Sequence, residues 1–204
     1  MSEINAVKTA FTDERARGEL LSQIQVMKTE IDGLYVIDPT VHGDSRGYFM
    51  ETYNRSDFHE AGLDMEFVQD NQSSSRKGVL RGLHFQKNHP QAKLVRVLSG
   101  EVFDVAVDLR ENSDTYGKWV GVLLSADNKK QLMIPRGFAH GFLVVSDMAE
   151  FAYKCDDVYH PEDEGGVMYN SCGIDWPEID VEPVLSEKDM KHPALSELDF
   201  KFKF

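Results

Sequence analysis

Short runs rich in β-branched and aromatic residues fill the chain from Ile31 onward, and they predict β-strands. The predicted strands cover residues 34–37, 47–53, 66–71, 79–85, 94–98, 101–109, 119–124, 131–134, 141–145 and 150–155. Turn-forming residues such as Ser99 and Gly100 separate the runs, and residues 56–61 predict one or two helical turns. Closely spaced strands without long helices between them predict an antiparallel sandwich or barrel.

Residues 101–109 form the clearest strand of the pattern. The odd-numbered positions from Phe103 to Leu109 are all apolar, whereas the even-numbered positions include Asp104 and Asp108. The second face therefore meets solvent or lines a polar cavity. Solvent is the commoner case in an open antiparallel sheet, so Asp104 alone is a weak functional candidate.

The N-terminal segment differs from the rest of the chain. Residues 12–25 are charged and weakly amphipathic, and Gly18 interrupts their helical spacing. We expect residues 1–26 to be an extension that is helical or disordered, and residues 27–204 to form one domain. No apolar run approaches the length of a membrane span, and the N-terminus lacks the apolar stretch of a signal peptide.

Composition narrows the function classes. The hydrophobic fraction of 41% is ordinary for a globular protein, and the net charge of −13 argues against nucleic-acid binding. A locally positive pocket for a small anionic ligand remains compatible with that charge. The two cysteines, Cys155 and Cys172, are expected to be reduced thiols of a cytoplasmic protein.

Three side chains interrupt the apolar pattern and carry the candidate chemistry. His84 and Lys93 lie between two strand-like runs, and His140 follows the predicted strand 131–134. We expect all three to line the inside of one small barrel. A histidine can act as a base near neutral pH, and a lysine can stabilise a developing oxyanion or enolate. Together they suit proton abstraction from a carbon next to a carbonyl.

The same stretch resembles the two motifs of metal-binding cupins, a jelly-roll family. His84 takes the position of the first ligand histidine, and residues 135–140 match the Pro-x-Gly-x-x-His motif. Gln86 stands where cupins carry a second histidine, and Lys93 stands for the glutamate. A lysine ammonium repels a divalent cation, so we expect a cupin-like jelly-roll barrel with short flanking helices and no metal.

Several long segments extend the resemblance to one family. They are GDSRGYF (43–49), FVQDN (67–71), LRGLHFQ (80–86), GEVFDVAVDLR (100–110) and IPRGFAHGF (134–142). In this order they closely resemble the dTDP-4-dehydrorhamnose 3,5-epimerase family, over about residues 27–189. The resemblance implies a cofactor-free homodimer that inverts C3 and C5 of dTDP-4-dehydro-6-deoxy-D-glucose.

The resemblance also implies roles for individual residues. His84 is the base, Asp189 its partner, Tyr153 the acid on the opposite face of the sugar, and Lys93 the group that stabilises the enolate at O4. The positions that contact the nucleotide sugar in the family correspond to Arg46, Glu51, Gln69, Asp70, Asn71, Arg81, His140, Glu164 and Lys188. Guanidinium groups among them suit a diphosphate.

Other interpretations stay open on the sequence. The enzyme could invert one carbon only, or act on another 4-keto sugar nucleotide; a metal-dependent oxygenase and a sugar-binding module belong to different classes. One geometric condition is also testable. Arg81 and His84 would point to opposite faces of a regular strand, so we predict a bulge at Gly82 that turns both inward.

Overall fold

The computed structural model describes residues 23–204. Its strands are β1 (Ile24–Lys28), β2 (Tyr35–Pro39), β3 (Val41–Asp44), β4 (Gly47–Met50), β5 (Gln69–Arg76), β6 (Leu80–Gln86), β7 (Lys93–Ser99), β8 (Glu101–Asp108), β9 (Trp119–Ser125), β10 (Gln131–Ile134), β11 (Phe138–Val144), β12 (Met148–Cys155) and β13 (Glu164–Gly166). Helix α1 spans Arg55–Glu60, and short 3₁₀ helices span Pro161–Asp163, Asp189–Lys191 and Leu195–Glu197. None of the helices in this range is long and apolar enough to cross a membrane.

Two antiparallel sheets form the body of the domain. One has six strands in the order β1-β2-β10-β7-β12-β5, and the other has five in the order β13-β6-β11-β8-β9. Strands β3 and β4 pair as a separate hairpin. The predicted fold class, an antiparallel jelly roll with short flanking helices, is confirmed.

The space between the sheets holds the main core. Val95 and Phe151 of the six-stranded sheet pack in one buried cluster with Ala106, Val122 and Phe142 of the five-stranded sheet. The side chains of these residues point inward from their strands. The period of two in the sequence therefore corresponds to the inner and outer faces of the sheets.

Both faces of β8 are buried, which the sequence did not predict. Its outward face, including Phe103 and Val105, packs against Phe202 and other residues of the C-terminal segment. Its inward face carries Asp104 and Asp108, and both carboxylates are completely buried. Of the two alternatives for this face, solvent is therefore wrong, because the C-terminal segment covers the outer side and the polar residues turn into the barrel.

Helix α1 covers the outer face of the six-stranded sheet. Asn54 caps the helix by accepting a hydrogen bond from the Ser56 N–H, and the buried Phe58 packs with Leu94 and Met133 of the sheet. The helix lies within one residue of the predicted range 56–61.

The predicted bulge in β6 is present. On β11 His140 pairs with His84 and Phe142 with Arg81, so one residue of β11 lies opposite two residues of β6. Gly82 has a φ of +129°, and a Cβ at this position would lie 2.6 Å from the Cα of Gly141. Only glycine fits this conformation and approach. As a result, Arg81 and His84 line the same cavity.

The sequence did not predict strand β1 or most of strand β5, and the structure gives a physical reason for each. Strand β1 begins at Ile24, so residues 24–26, assigned to the extension, belong to the sheet; the rest of the expected extension, residues 1–22, lies outside the described residues. Ile24 is buried under α1, a contact that a run of five residues does not reveal. Strand β5 is polar over most of its length and forms because it pairs with β12 from end to end.

Candidate active site

A cavity of about 240 Å³ opens between the two sheets. Its lining combines polar side chains with a wall of phenylalanines. The lining residues are Asn71, Gln72, Ser73, Arg81, His84, Lys93, His140, Gly141, Phe142, Phe151 and Tyr153. Six of the residues that the sequence proposed for the site therefore converge on one cavity, although they come from five different strands.

His84 is held from behind by a carboxylate. Its Nε2 lies 2.6 Å from Oδ1 of Asp189, a residue of the C-terminal segment that is almost fully buried. The Ser186 hydroxyl accepts a hydrogen bond from the Asp189 N–H and fixes the start of this turn. An ionised carboxylate only accepts, so Nε2 carries the proton and Nδ1 keeps the lone pair that a base needs.

The ionised form of Asp189 is strongly favoured. Burial alone would raise the pKa of this carboxyl, but His192, His84 and the Gly82 N–H together hold it well below its usual range. The carboxylate therefore stays charged at neutral pH and can stabilise an imidazolium at His84.

Tyr153 and Lys93 face His84 from the other sheet. They lie on the neighbouring strands β12 and β7, and the Lys93 Nζ is 5.9 Å from the centre of the Tyr153 ring. Burial raises the pKa of Tyr153, which keeps the phenol protonated and able to donate. Burial lowers the pKa of Lys93, while Cys155, Asp104 and Glu164 act in the opposite direction.

His140 belongs to a buried pair that the sequence did not identify. Its Nε2 lies 3.0 and 2.9 Å from the two carboxylate oxygens of Asp104. Burial lowers the pKa of His140 despite this carboxylate, and the nearby Lys93 and His84 lower it further. Asp104 lies in the family-like segment 100–110 and on the polar face of β8, but neither feature distinguishes a cavity from solvent.

A hydrogen-bonded chain of residues leads away from Asn71, which lines the cavity. The Gln69 amide donates to Asn71 Oδ1 at 3.0 Å and accepts from the Tyr159 N–H at 2.9 Å. The Tyr159 hydroxyl donates to Glu164 at 2.8 Å, and Lys188 forms an ion pair with the same carboxylate. Tyr159, which the sequence did not single out, thus joins two sets of proposed contact residues.

Six of the nine proposed contact residues are not part of the cavity lining. Gln69, Glu164 and Lys188 belong to the hydrogen-bonded chain just described, and the other three lie apart from it. Arg46 sits at the turn of the β3–β4 hairpin, where its side chain is 88% exposed and paired with Asp44; Glu51 follows the same hairpin. Asp70 lies on the outer face of β5 and forms an ion pair with Lys154 at 2.9 Å. For Asp70 the reason is the strand alternation, which sends Asn71 inward and its neighbour outward.

Potential metal ligands occur in one group within residues 23–204. His84, Asp189 and His192 offer atoms that all lie within 4.8 Å of one another. This is not the cupin ligand set, because His140 is bound to Asp104 on the other side of His84. Gln86, at the position of the second cupin histidine, instead donates to the backbone carbonyls of His89 and Val158.

Comparisons with known proteins agree on one family. The sequence profile described as dTDP-4-dehydrorhamnose 3,5-epimerase matches residues 28–197. A curated relative, the dTDP-4-dehydrorhamnose 3,5-epimerase of Methanothermobacter thermautotrophicus, is 53% identical over 180 residues, which is 87% of this chain and 97% of that protein.

Solved structures give the same result. The crystal structure of a dTDP-6-deoxy-D-glucose-3,5-epimerase from Legionella pneumophila, in complex with dTDP-4-keto-L-rhamnose, superposes with a TM-score of 0.84 at 51% identity and covers 86% of this chain and 95% of that one. A 3′-monoepimerase from Streptomyces bikiniensis in complex with dTDP-quinovose is more distant, with a TM-score of 0.77 at 34% identity, covering 82% of this chain and 86% of that one.

Proposed function

This chain belongs to the dTDP-4-dehydrorhamnose 3,5-epimerase family, and on that premise we propose that it inverts C3 and C5 of dTDP-4-dehydro-6-deoxy-D-glucose. The reaction is an isomerisation by proton transfer. Both carbons are bonded to the C4 carbonyl carbon, so removing a proton from either gives an enolate with its charge on O4. The product is dTDP-4-dehydro-L-rhamnose.

The observation that carries this proposal is the position of His84 and Tyr153 on opposite sheets. His84 belongs to β6 of the five-stranded sheet and Tyr153 to β12 of the six-stranded sheet, and both line the cavity between them. Inversion requires that a proton leaves one face of a carbon and returns to the other. A sugar ring between the two sheets meets a base on one face and an acid on the other.

The proton path follows from the hydrogen bonds. His84 takes the proton from C3 or C5 on Nδ1, and the charged imidazolium is stabilised by Asp189 through Nε2–H. Tyr153 then delivers its phenolic proton to the opposite face of the same carbon. Before the second inversion His84 must lose the proton it took, and the Tyr153 phenolate must regain one. The His84 side chain is 31% exposed, which allows it to return its proton to water, and water can supply the proton that Tyr153 regains.

Lys93 stabilises the negative charge that develops on the enolate oxygen. Because burial lowers its pKa, the charged ammonium is poorly stabilised by the protein alone. An enolate oxygen that forms beside it restores a partner of opposite charge. The attraction is therefore stronger in the transition state than in the ground state, which is the condition for accelerating the chemical step.

Solvent-deuterium incorporation tests the proposed reaction. The enzyme is incubated with dTDP-4-dehydro-6-deoxy-D-glucose in deuterated water, coupled to a reductase that accepts only the L-sugar, and the product is analysed by NMR. Deuterium at both C3 and C5 of an L-sugar supports the proposal. Deuterium at C3 alone indicates a single-carbon epimerase, and no incorporation at all overturns the proposal.

Tyr153→Phe should separate proton removal from inversion. The variant keeps the aromatic contact with Phe151 but lacks the acid, so we expect residual hydrogen exchange at C3 with a strongly reduced yield of inverted sugar. NMR in deuterated water measures both quantities in one sample. Tyr116→Phe, which changes a tyrosine outside the cavity lining, is the matched control. Normal inversion by Tyr153→Phe would remove this residue from the mechanism.

The homodimer is part of the proposal, and the β3–β4 hairpin supports it. The hairpin extends outward with Tyr48 and Phe49 58% and 70% exposed, and it carries Arg46 away from the cavity of its own chain. A second copy would cover these aromatic side chains and give Arg46 a cavity to contact. Sedimentation equilibrium of the wild type should give twice the mass of the chain. The Phe49→Glu variant should have the mass of a single chain. A wild-type monomer would contradict the prediction.

The proposed location is the cytoplasm. Both cysteines, Cys155 and Cys172, are free and buried, as the sequence analysis expected of reduced thiols.

A further inference from the structure

His192 carries a buried nitrogen that makes no hydrogen bond. Among the residues described, 23–204, its Nε2 is the one buried side-chain nitrogen or oxygen that makes no hydrogen bond. Buried polar atoms in folded proteins are almost always paired, and an unpaired one costs stability. The exception lies directly behind the proposed base, so it calls for a functional explanation.

The carboxylate of Asp189 is the polar group that Nε2 of His192 approaches. The side chain is 10% exposed, and its Nε2 lies 3.7 Å from Oδ1 of Asp189, the oxygen that also binds His84. The two imidazole rings meet edge to face, with centres 5.7 Å apart. On the far side Gly166 closes the space, since a Cβ there would lie 2.3 Å from the His192 Nε2.

Strand β13 packs against His192 through Gly166. Gly166 pairs directly with His84 across the sheet, so the absence of a side chain lets the His192 ring approach both residues. The ring is thus packed between the backbone of β13 and the carboxylate. A shift of about 0.8 Å would bring its Nε2 to ordinary hydrogen-bond distance from Asp189.

We propose that His192 is a positioning residue, a second hydrogen-bond donor to Asp189 that sets how strongly this carboxylate holds the imidazole of His84. The inference rests on the proposed function, in which His84 is the base. With Nε2–H on both rings and the His192 ring moved to hydrogen-bond distance, one carboxylate oxygen would receive two donors. Each donor takes part of the negative charge that the carboxylate can offer to the other.

The effect on the base has a definite sign. Two carboxylates near His84 and His192 favour a charged imidazole: Asp189, and Glu164 from β13. Arg81, Lys93 and a charged His140 oppose it from the cavity, and Tyr153 faces His84 as a neutral phenol. A donor from His192 withdraws charge from Asp189 and so favours neutral His84, the form that accepts a proton. Without that donor His84 should become charged at higher pH.

The test compares two substitutions at His192. His192→Phe keeps a ring against Gly166 without a donor, and His192→Asn keeps a donor in a smaller side chain. We expect the acid limb of the kcat/KM profile to move up by on the order of 0.5 pH unit in His192→Phe, a fraction of the effect of a hydrogen bond to a charged group. The profile of His192→Asn should stay close to that of the wild type. The plateau of kcat/KM at high pH should be little changed in both.

Equal acid limbs in the wild type and His192→Phe would overturn the inference, as would a shift of the same size in both variants. Wild-type enzyme that gives no deuterium incorporation overturns the proposed function instead, so the two failures are distinguishable. A measurement without substitutions covers the case in which a variant does not fold. NMR of ¹⁵N-histidine-labelled wild type, with EDTA present, should show a proton on Nε2 of His192, and an unprotonated Nε2 there would also overturn the inference.

Discussion

Replacing His84 by alanine should abolish hydrogen exchange at both C3 and C5 while the protein stays folded. One base serves both carbons, and it lies between Asp189 and the cavity. His140, the other histidine of the cavity lining, is bound to Asp104 instead. Loss of general-base catalysis should lower kcat by about 100- to 10,000-fold. The rate of deuterium incorporation into the 4-keto substrate measures the loss directly, without the coupling enzyme.

The control for this prediction is His59→Ala. His59 is an exposed histidine on α1 that pairs with Asp64 and lies outside the cavity, so its removal should leave the rate unchanged. Both variants should unfold cooperatively, with a lower midpoint for His84→Ala because the buried Asp189 carboxylate loses a donor. A His84→Ala enzyme that inverts the sugar at near-native rate would mean that the base is another residue.

Lys93→Met should produce the second large effect. Methionine keeps much of the volume of the side chain but has no charge to stabilise the enolate. Removing such a group typically lowers kcat by about 100- to 1,000-fold, and we expect a smaller change in KM. Single-turnover kinetics with the sugar nucleotide separates the chemical step from binding.

Stability provides an independent readout for Lys93. Burial lowers the pKa of the lysine, which means that the folded protein is a poor environment for its charge. Lys93→Met should therefore unfold at the same temperature as the wild type or higher, although it is nearly inactive. Lys77→Met, which removes a lysine paired with Asp180 at the surface, is the matched control and should retain activity. A Lys93→Met enzyme with wild-type kcat would disprove the role in enolate stabilisation.

The strand pattern and the site differ in how far sequence could predict them. Strands with apolar inward positions, such as residues 101–109, follow from the period of two, and the bulge at Gly82 follows from the need to turn Arg81 and His84 to one side. The predicted strand 66–71 covers only the start of β5, because the polar residues after Asn71 carry no β signal and pair with β12 in the folded protein. Pairing partners depend on the whole fold.

Within the site, the motif residues were predictable and their supports were not. His84, Lys93 and His140 converge on the cavity as expected from their motifs. Asp104 lies in the segment 100–110, but its contact with His140 is 36 residues away in the chain. His192 lies outside the family segments and contacts Asp189, so only the folded structure reveals both supports. A carboxylate on an alternating strand, or a histidine near the chain end, is by itself an ordinary surface residue.

The arrangement of acid and base on separate sheets links catalysis to the interior of the protein. No single strand fixes the gap that a ketosugar must fill; the gap is set by how closely the sheets stack. Phe142 and Phe151 meet at the wall of the cavity with ring centres 4.2 Å apart, one from each sheet, and act as the spacer between them. Changes in this aromatic pair would therefore alter the reach of both reacting groups without touching either one.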